Sequence, residues 1–233
     1  MKALFFKELR YYLDNPVGYI IIGLFAVLAN FFFVKDIFVV GSASMRPFFE
    51  LIPWLFLVFV PALSMRMIAE ERRSNTIETL LALPVSELQI VLAKFLTLIA
   101  LISIGLMLTL GLPIALVAVS DLYVPELLIG YLGLILCGGL FAAVSLFFSS
   151  LTRNQVVAFL SSIVVLFFFL VMSTDVIATV IPRAVMNVLQ LFDPFTYLRM
   201  FFKGLLDIRA VIYFFSFSIL LLLITVINVE KRS

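Results

Sequence analysis

Residues 95–119 read FLTLIALISIGLMLTLGLPIALVAV, and this stretch decides the fold class. It contains no Asp, Glu, Lys or Arg. It is also long enough to cross a hydrocarbon layer of about 30 Å, which takes roughly 20 residues of α-helix. A helix that is apolar on all sides suits contact with lipid and with other helices. The stretch therefore predicts a membrane-spanning helix.

Stretches of the same kind occur along the whole chain. Its 233 residues are 64% hydrophobic and only 13% charged, with a mean hydropathy of +1.25, whereas a soluble domain is about half apolar and a quarter charged. We expect an all-α membrane protein that forms a single domain over residues 1–233. Its six transmembrane helices are predicted at residues 17–34, 51–65, 95–119, 127–148, 156–172 and 211–229.

The composition excludes several kinds of chemistry. The chain has no histidine and one cysteine, Cys137, so it lacks the ligands of a zinc site and the histidine of a nucleophile pair. None of its 10 glycines precedes a lysine, so a Gly-Lys phosphate-binding loop is missing. A net charge of +2 gives no reason to expect nucleic acid as a partner. We expect no catalytic residue, no metal and no cofactor bound by this chain.

The distribution of basic residues predicts the orientation. With the N terminus placed inside, alternate loops carry ten of the 16 Lys and Arg residues on the inner side and six on the outer side. The cytoplasmic side of a membrane protein usually carries the excess. We therefore expect a multi-pass protein of the cell inner (cytoplasmic) membrane, with both termini in the cytoplasm.

Residues 1–15 precede the first span and have the pattern of an amphipathic helix. A polar stripe consists of Lys7, Arg10, Tyr11 and Asp14. The opposite, apolar side consists of Phe5, Phe6, Leu9, Tyr12 and Leu13. Such a helix lies on the membrane surface. Asn15 can cap the next helix, with Pro16 in its first turn, so we expect a bend there. The alternative is a basic anchor without a further role.

Residues 66–94 are too charged to cross a membrane and should form a cytoplasmic loop between spans two and three. Asn75 and Glu78 have the spacing of a capping box, which predicts a short helix that Pro84 ends. Ser86 and Gln89 form a second box at the start of the helix that becomes span three. The short helix is mechanically continuous with both spans. It contacts a partner protein or rests on lipid, and the pattern leaves both readings open.

Residues 174–210, between spans five and six, are apolar but interrupted by Pro182 and by Asp193-Pro194. Asp193 as N-cap and Pro194 in the first turn predict a helix over residues 194–206, after a shorter one over residues 184–191. We expect two outer re-entrant helices. They form either a lid over a vestibule or a cap that stabilises the bundle.

Three passages resemble a known family. They are Lys7-Glu8-Leu9 with Pro16, residues 70–86 (EERRSNTIETLLALPVS) with Lys94-Phe95, and Asp193-Pro194-Phe195 with residues 203–207 (KGLLD). On these residues the chain resembles the ABC-2 family of ABC transporter permeases, especially the compact six-span branch that includes permeases of gliding-motility and nitrous-oxide-reductase maturation systems. The family usually has Gly where Asn75 stands and Ser where Asp193 stands, and both replacements are capping residues.

The resemblance implies the permease subunit of an ATP-binding cassette exporter. It implies a second permease, either another copy or a paralogue, and a dimer of ABC ATPase subunits that hold the ATP and Mg²⁺. It places the coupling helix at residues 75–83. The expected ATPase contact comprises Glu70, Glu71, Arg72, Arg73, Asn75, Thr76, Glu78, Thr79 and Leu80. The expected interface helix presents Lys7, Arg10, Tyr11 and Asp14. The expected outer gate comprises Asp193, Pro194, Phe195 and Gly204.

Other functions compete with this interpretation. An ion channel or passive pore needs no ATPase and fits spans that lack charged residues. A membrane assembly scaffold would use the surface helix as a docking platform. An intramembrane enzyme is the weakest alternative, because the spans carry no evident catalytic group. Membrane lipid is an expected contact in every case, and the substrate stays open because a fold does not determine its cargo.

Overall fold

The computed structural model describes residues 1–40, 44–76, 85–119, 123–172 and 193–230. Every regular element within these ranges is an α-helix, which confirms the predicted fold class. The helices are α1 Lys2–Asp14, α2 Pro16–Val40, α3 Arg46–Ser64, α4 Ala69–Arg73, α5 Glu87–Met107, α6 Gly111–Val119, α7 Val124–Leu151, α8 Gln155–Met172, α9 Pro194–Phe202 and α10 Ile208–Glu230.

Five stretches of the described chain are long and apolar enough to cross a membrane. They are Pro16–Lys35, Arg46–Arg73, Glu87–Leu116, Val124–Leu151 and Ile208–Glu230. These stretches contain predicted spans one, two, four and six, and residues 95–116 of predicted span three. The predicted fifth span lies in α8, whose apolar part, Gln155–Val171, is shorter. The molecule is a multi-pass membrane protein, and the count of six spans stays a prediction.

The N-terminal helix and the bend after it form as expected. Helix α1 ends at Asp14, and the Asn15 side-chain oxygen accepts a hydrogen bond from the Val17 backbone N–H at 3.1 Å. Helix α2 then begins at Pro16. A Cβ atom at Gly18 would overlap the Tyr12 carbonyl. Glycine at this position therefore lets the two helices meet closely at the corner.

The predicted apolar side of α1 is divided between the protein and the exterior. Tyr12 is buried within the protein, but Phe6 and Leu13 are 64% and 44% exposed. The residue that joins Tyr12 on the buried side is Glu8, one helical turn earlier. A wheel drawn from hydropathy alone places Glu8 among polar groups, because it does not include the charge partner that the fold supplies.

The predicted third span is not one continuous helix. Helix α5 starts where the sequence indicates, since the Ser86 hydroxyl accepts a hydrogen bond from the Gln89 N–H. It ends at Met107, and a turn leads to α6, which starts at Gly111. Pro113 explains the interruption, because it supplies no N–H to the carbonyl four residues earlier. The Thr109 hydroxyl lies 3.0 Å from the Tyr131 hydroxyl of α7 and donates to the Leu106 carbonyl.

Helix α9 begins as predicted and ends earlier than predicted. Asp193 accepts hydrogen bonds from the Phe195 N–H and the Thr196 hydroxyl, each at 2.8 Å. The helix ends at Phe202 rather than at residue 206 because Gly204 adopts a left-handed φ of 72°. The Gly204 and Leu205 N–H groups return to helix carbonyls there, which is the Schellman arrangement. The predicted helix over residues 184–191 lies outside the described residues.

Helix α7 is the centre of the bundle and packs against α3, α5, α8, α9 and α10. Its glycines allow these contacts. A Cβ at Gly130 would overlap the Phe49 ring of α3, and one at Gly133 would lie 2.6 Å from the Phe201 Cβ of α9. Gly130 and Gly133 therefore serve packing inside the bundle.

This packing predicts that alanine substitution at two glycines of α7 has different effects on the free energy of unfolding. Gly133→Ala should lower the free energy of unfolding by about 1–3 kcal/mol, because the new methyl group forces α9 away. Gly139→Ala is the matched control, since its Cβ would meet only Ile99 and Phe95 side-chain atoms at 3.9 Å. Equilibrium unfolding of the purified proteins in detergent, followed by circular dichroism, measures both. Equal stability of the two variants would contradict the assignment.

Candidate functional site

A buried lysine joins three separate segments at one end of the bundle. The Lys94 ammonium of α5 donates to Glu8 Oε1 of α1 at 3.1 Å and to Glu71 Oε1 of α4 at 2.7 Å. Lys94 itself is 1% exposed. We call Glu8, Glu71 and Lys94 the Lys94 cluster. We call this end of the bundle, where α3 ends and α5 begins, the α4 end.

The Lys94 cluster contains two carboxylates for one ammonium. Glu71 Oε2 is buried and has no hydrogen-bond partner. A buried charge that loses its partner is strongly destabilising, at about 3–5 kcal/mol, whereas the intact group contributes little net stability. The cluster therefore acts mainly by fixing one arrangement of α1, α4 and α5.

Helix α1 has a second attachment at the same end. The Tyr12 hydroxyl donates to the Leu63 carbonyl at 2.7 Å, in the last turn of α3. Burial raises the pKa of this hydroxyl above its usual value, so it stays protonated and remains a donor. Because a helix leaves its last carbonyls without intrahelical partners, Tyr12 satisfies a group that would otherwise be buried alone.

A serine of α7 holds the chain between α3 and α4. The Ser149 hydroxyl accepts hydrogen bonds from the Ile68 and Ala69 N–H groups at 3.2 and 3.1 Å. It donates to the Met65 carbonyl at 3.2 Å. The Ser149 side chain thus forms hydrogen bonds with three backbone groups in the break between α3 and α4. The orientation of α4 relative to the central helix follows from these bonds.

Two arginines complete the attachment of α4. Arg72 is buried and donates to the Asn228 carbonyl of α10 at 3.0 Å. Arg66 forms two hydrogen bonds with Glu70, at 2.7 and 3.0 Å. Helix α4 is only five residues long, yet side-chain bonds connect it or its flanking turn to α1, α5, α7 and α10. It is therefore fixed to both ends of the sequence and to the centre of the bundle.

The expected ATPase contact divides into two groups. Glu70, Glu71 and Arg72 belong to the internal contacts just described. Arg73, Asn75 and Thr76 are exposed. Glu78, Thr79 and Leu80 lie outside the described residues, as does nearly all of the predicted coupling helix.

Asn75 adopts a left-handed φ of 56° directly after α4. Asn is one of the residues that occupy this position after a helix. Glu78, the second residue of the predicted capping box, lies outside the described residues, so the box stays a prediction. The chain thus turns sharply between α4 and the segment where the coupling helix is predicted.

The other predicted residues lie in two further places. The interface-helix residues Lys7, Arg10, Tyr11 and Asp14 are all exposed on α1. The expected gate residues Asp193, Pro194 and Phe195 are buried at the start of α9, and Gly204 ends that helix. The contacts of these gate residues are those of a helix cap and a helix stop, and their role as a gate stays a prediction.

The sequence analysis assigned no site role to three residues, Glu8, Lys94 and Ser149, although Glu8 and Lys94 stand in the passages that carry the resemblance. A signal for Lys94 was present, because the cap at Ser86 places it two turns inside an otherwise apolar helix, where a lysine needs a counter-charge. Glu8 lies one turn before Tyr12 on the protein-facing side of α1. Nothing in the sequence indicates Ser149, because its partners are backbone groups of a helix break.

A cleft of about 270 Å³ lies between α1 and α4 and reaches Ser74 and Thr76. Its walls include Lys7, Tyr11, Glu70 and Thr76. Among the described residues no group of three or more His, Cys, Asp or Glu side chains could hold a metal ion. The charged and hydroxyl groups of this cleft are suited to hydrogen bonds with a partner protein.

The Lys94 cluster predicts that loss of the lysine alone destabilises the protein more than loss of all three charges. Lys94→Met should lower the free energy of unfolding by about 3–5 kcal/mol, because the buried Glu8 and the partly buried Glu71 lose their ammonium partner. The triple variant Glu8→Gln, Glu71→Gln, Lys94→Met removes all three charges and should recover more than half of that loss. Equilibrium unfolding in detergent measures both. If the triple variant is no more stable than Lys94→Met, the charge explanation fails.

The hydrogen bonds of Ser149 predict that its replacement destabilises the protein more than replacement of the neighbouring Ser150. Ser149→Ala leaves two backbone N–H groups and one carbonyl without their partner and should cost about 1–3 kcal/mol. Ser150→Ala is the matched control, since the Ser150 hydroxyl is also buried but donates only to the Phe147 carbonyl of its own helix. The same unfolding measurement compares them, and a control as unstable as Ser149→Ala would count against the assignment.

Comparison with known proteins identifies the family. A family model described as ABC-2 family transporter protein matches residues 20–229, from the second helix to the end of the last. No curated protein matches the chain. The family match includes α4, Lys94 and the predicted coupling segment, and it confirms the resemblance stated from the sequence. The chain belongs to the ABC-2 family of transporter proteins.

Proposed function

We propose that the chain is the membrane-embedded permease subunit of an ABC exporter powered by separate ATPase subunits. Membership of the ABC-2 family supports a permease subunit of an ABC transporter. The structural observation that carries the finer proposal is the Lys94 cluster. It attaches the loop between spans two and three to the N-terminal helix and to a span helix through buried charges.

The partner ATPase docks at the α4 end in this proposal. Arg73 is exposed there, and so are Asn75 and Thr76, the first two residues of the predicted coupling helix. The cleft between α1 and α4 opens beside them. A partner that contacts residues 73–83 presses on α4, whose position the cluster, Ser149 and Arg72 fix relative to the bundle. Those hydrogen bonds connect the docking site to the spans, so a displacement of the site also moves the spans.

ATP binding would bring two ATPase subunits together and displace the two coupling segments. Because α4 is bonded to α5, α7 and α10, its displacement moves helices that cross the membrane. The ATPase must bind one permease conformation more tightly than the other, since equal affinity for both would shift no equilibrium. ATP and Mg²⁺ remain on the partner subunits, and this chain supplies the pathway.

The assembly proposed is a permease pair, formed with a second copy or a paralogue, on an ATPase dimer in the cytoplasmic membrane. The excess of Lys and Arg on the α4 side supports a cytoplasmic location for that end and for both termini. The Arg72 bond to Asn228 supports the same arrangement, because it places the end of α10 beside the loop. An amphipathic or lipid-like cargo fits the apolar bundle.

Docking at the α4 end predicts the effect of charge reversal on partner binding. Arg73→Glu should weaken association with the ATPase subunit about ten-fold, because an exposed charge at the contact changes sign. Glu71 and Arg72 are poorer choices, since replacing them disturbs the fold as well. Purification of the tagged chain from its native membrane, with mass-spectrometric quantification of the associated ATPase, measures the loss.

Arg209→Glu is the matched control for Arg73→Glu. Arg209 is exposed at the start of α10, and the end of that 23-residue helix lies at Arg72. Arg209 is therefore roughly 30 Å away, at the opposite end of the bundle. Loss of the ATPase in Arg209→Glu but not in Arg73→Glu would reverse the proposed orientation. Absence of any ATPase from the unmodified chain would reject the proposed function.

A further inference from the structure

The exposed surface of α1 has an apolar edge beside a cationic edge. Phe6 and Leu13 are 64% and 44% exposed, and Lys7 and Arg10 are also exposed. Residues three and four positions apart are neighbours on a helix. Arg10 therefore lies next to Phe6 on one side and next to Leu13 on the other. A cation between two exposed apolar side chains suits neither water alone nor hydrocarbon alone.

The contacts of α1 place this surface at the boundary of the membrane. On its buried side, Tyr12 bonds to the last turn of α3 and Glu8 bonds to Lys94 near the start of α5. The first span begins at Pro16, immediately after the bend. The helix thus lies across the level where one span ends and two others begin. An amphipathic helix at that level has its apolar edge at the acyl chains and its cations at the headgroups.

Most of the exposed charged side chains of α1 are positive. Glu8 is buried and paired with Lys94, which leaves Lys2, Lys7 and Arg10 exposed against Asp14 alone. Within the described ranges, Arg10 takes part in none of the ion pairs, which involve Arg46, Arg66 and Lys94. Among the described residues, the exposed side of the helix therefore carries more positive than negative charge.

A groove of about 1070 Å³ follows this side of α1 to the bend at Asn15 and Pro16. Phe6, Lys7, Arg10 and Leu13 contribute to its wall. Asp14 also lines the groove, near the bend, so the wall combines apolar side chains with two cations and one carboxylate. A soluble anion would use only the cations, whereas a molecule with an anionic head and hydrocarbon tails would use both.

We propose that this groove binds an anionic phospholipid of the leaflet that α1 contacts. The Arg10 guanidinium and the Lys7 ammonium bind the phosphate headgroup, because a guanidinium matches two phosphate oxygens and a lysine adds a point charge. Phe6 and Leu13 contact the acyl chains. The inference rests on the proposed membrane placement of α1 and does not depend on an ATPase partner.

The test compares lipid retention by the full-length chain and two arginine variants. The purified protein is placed in uncharged detergent micelles with equal amounts of phosphatidylglycerol and phosphatidylcholine, and native mass spectrometry counts the retained lipids. The unmodified chain should retain phosphatidylglycerol preferentially. Arg10→Gln should weaken that retention about five-fold, the effect of one basic residue near an anionic membrane surface.

Arg153→Gln is the matched control, because Arg153 is an exposed arginine in the turn between α7 and α8 and its removal changes the net charge equally. It should retain phosphatidylglycerol as the unmodified chain does. Lys7→Gln and Phe6→Ala are second variants that each remove one of the proposed contacts, and both should weaken retention. Thermal unfolding midpoints verify that every variant is folded.

Three outcomes would overturn the proposal. The first is equal retention by Arg10→Gln and the unmodified chain, and the second is an equal loss in Arg153→Gln. The third is displacement of the lipid by millimolar inorganic phosphate, which would indicate a site for a soluble anion. Because the measurement contains no ATPase, a negative result here is separate from failure of the proposed transport function.

Discussion

An ammonium group removed from water needs negative charge close to it, and Lys94 obtains that charge from two distant parts of the chain. Glu8 precedes the first span, and Glu71 follows the second. Glu8 lies 86 residues before Lys94 and Glu71 lies 23 residues before it, so both contacts require the chain to return to the start of α5. A single buried cation therefore selects one arrangement of three segments.

The same constraint explains why so short a helix as α4 can have a defined position. Its five residues have little helical stability of their own, because isolated helices of this length do not persist in water. Glu71 binds it to Lys94, Arg72 binds it to α10, and Ser149 holds the backbone before it. The exposed residues that follow are thus presented from a fixed base. Under the proposed function, a segment that receives force from a partner needs such a base.

Much of this architecture was predictable because apolar spans and helix caps are local signals. The spans, the bend at Asn15, the start of α5 at Ser86 and the start of α9 at Asp193 each follow from a few neighbouring residues. The bonds at the α4 end are different, since their partners are far apart in sequence. Ser149 binds backbone groups that any residue carries, so its identity contains no information about its role. The division of the apolar side of α1 also depends on which neighbours the fold supplies.

The interruption of the third span has a geometric consequence. Helix α5 is bound near one end through Lys94, and the chain just beyond its other end is bound through Thr109 to Tyr131. The distance along the helix between these two attachments is about 22 Å. With Thr109 as a fulcrum, a sideways displacement of about 2 Å at Lys94 tilts this lever by about 5°. The turn at residues 108–110 lies between α5 and α6. Helix α5 can therefore tilt while α6 keeps its position.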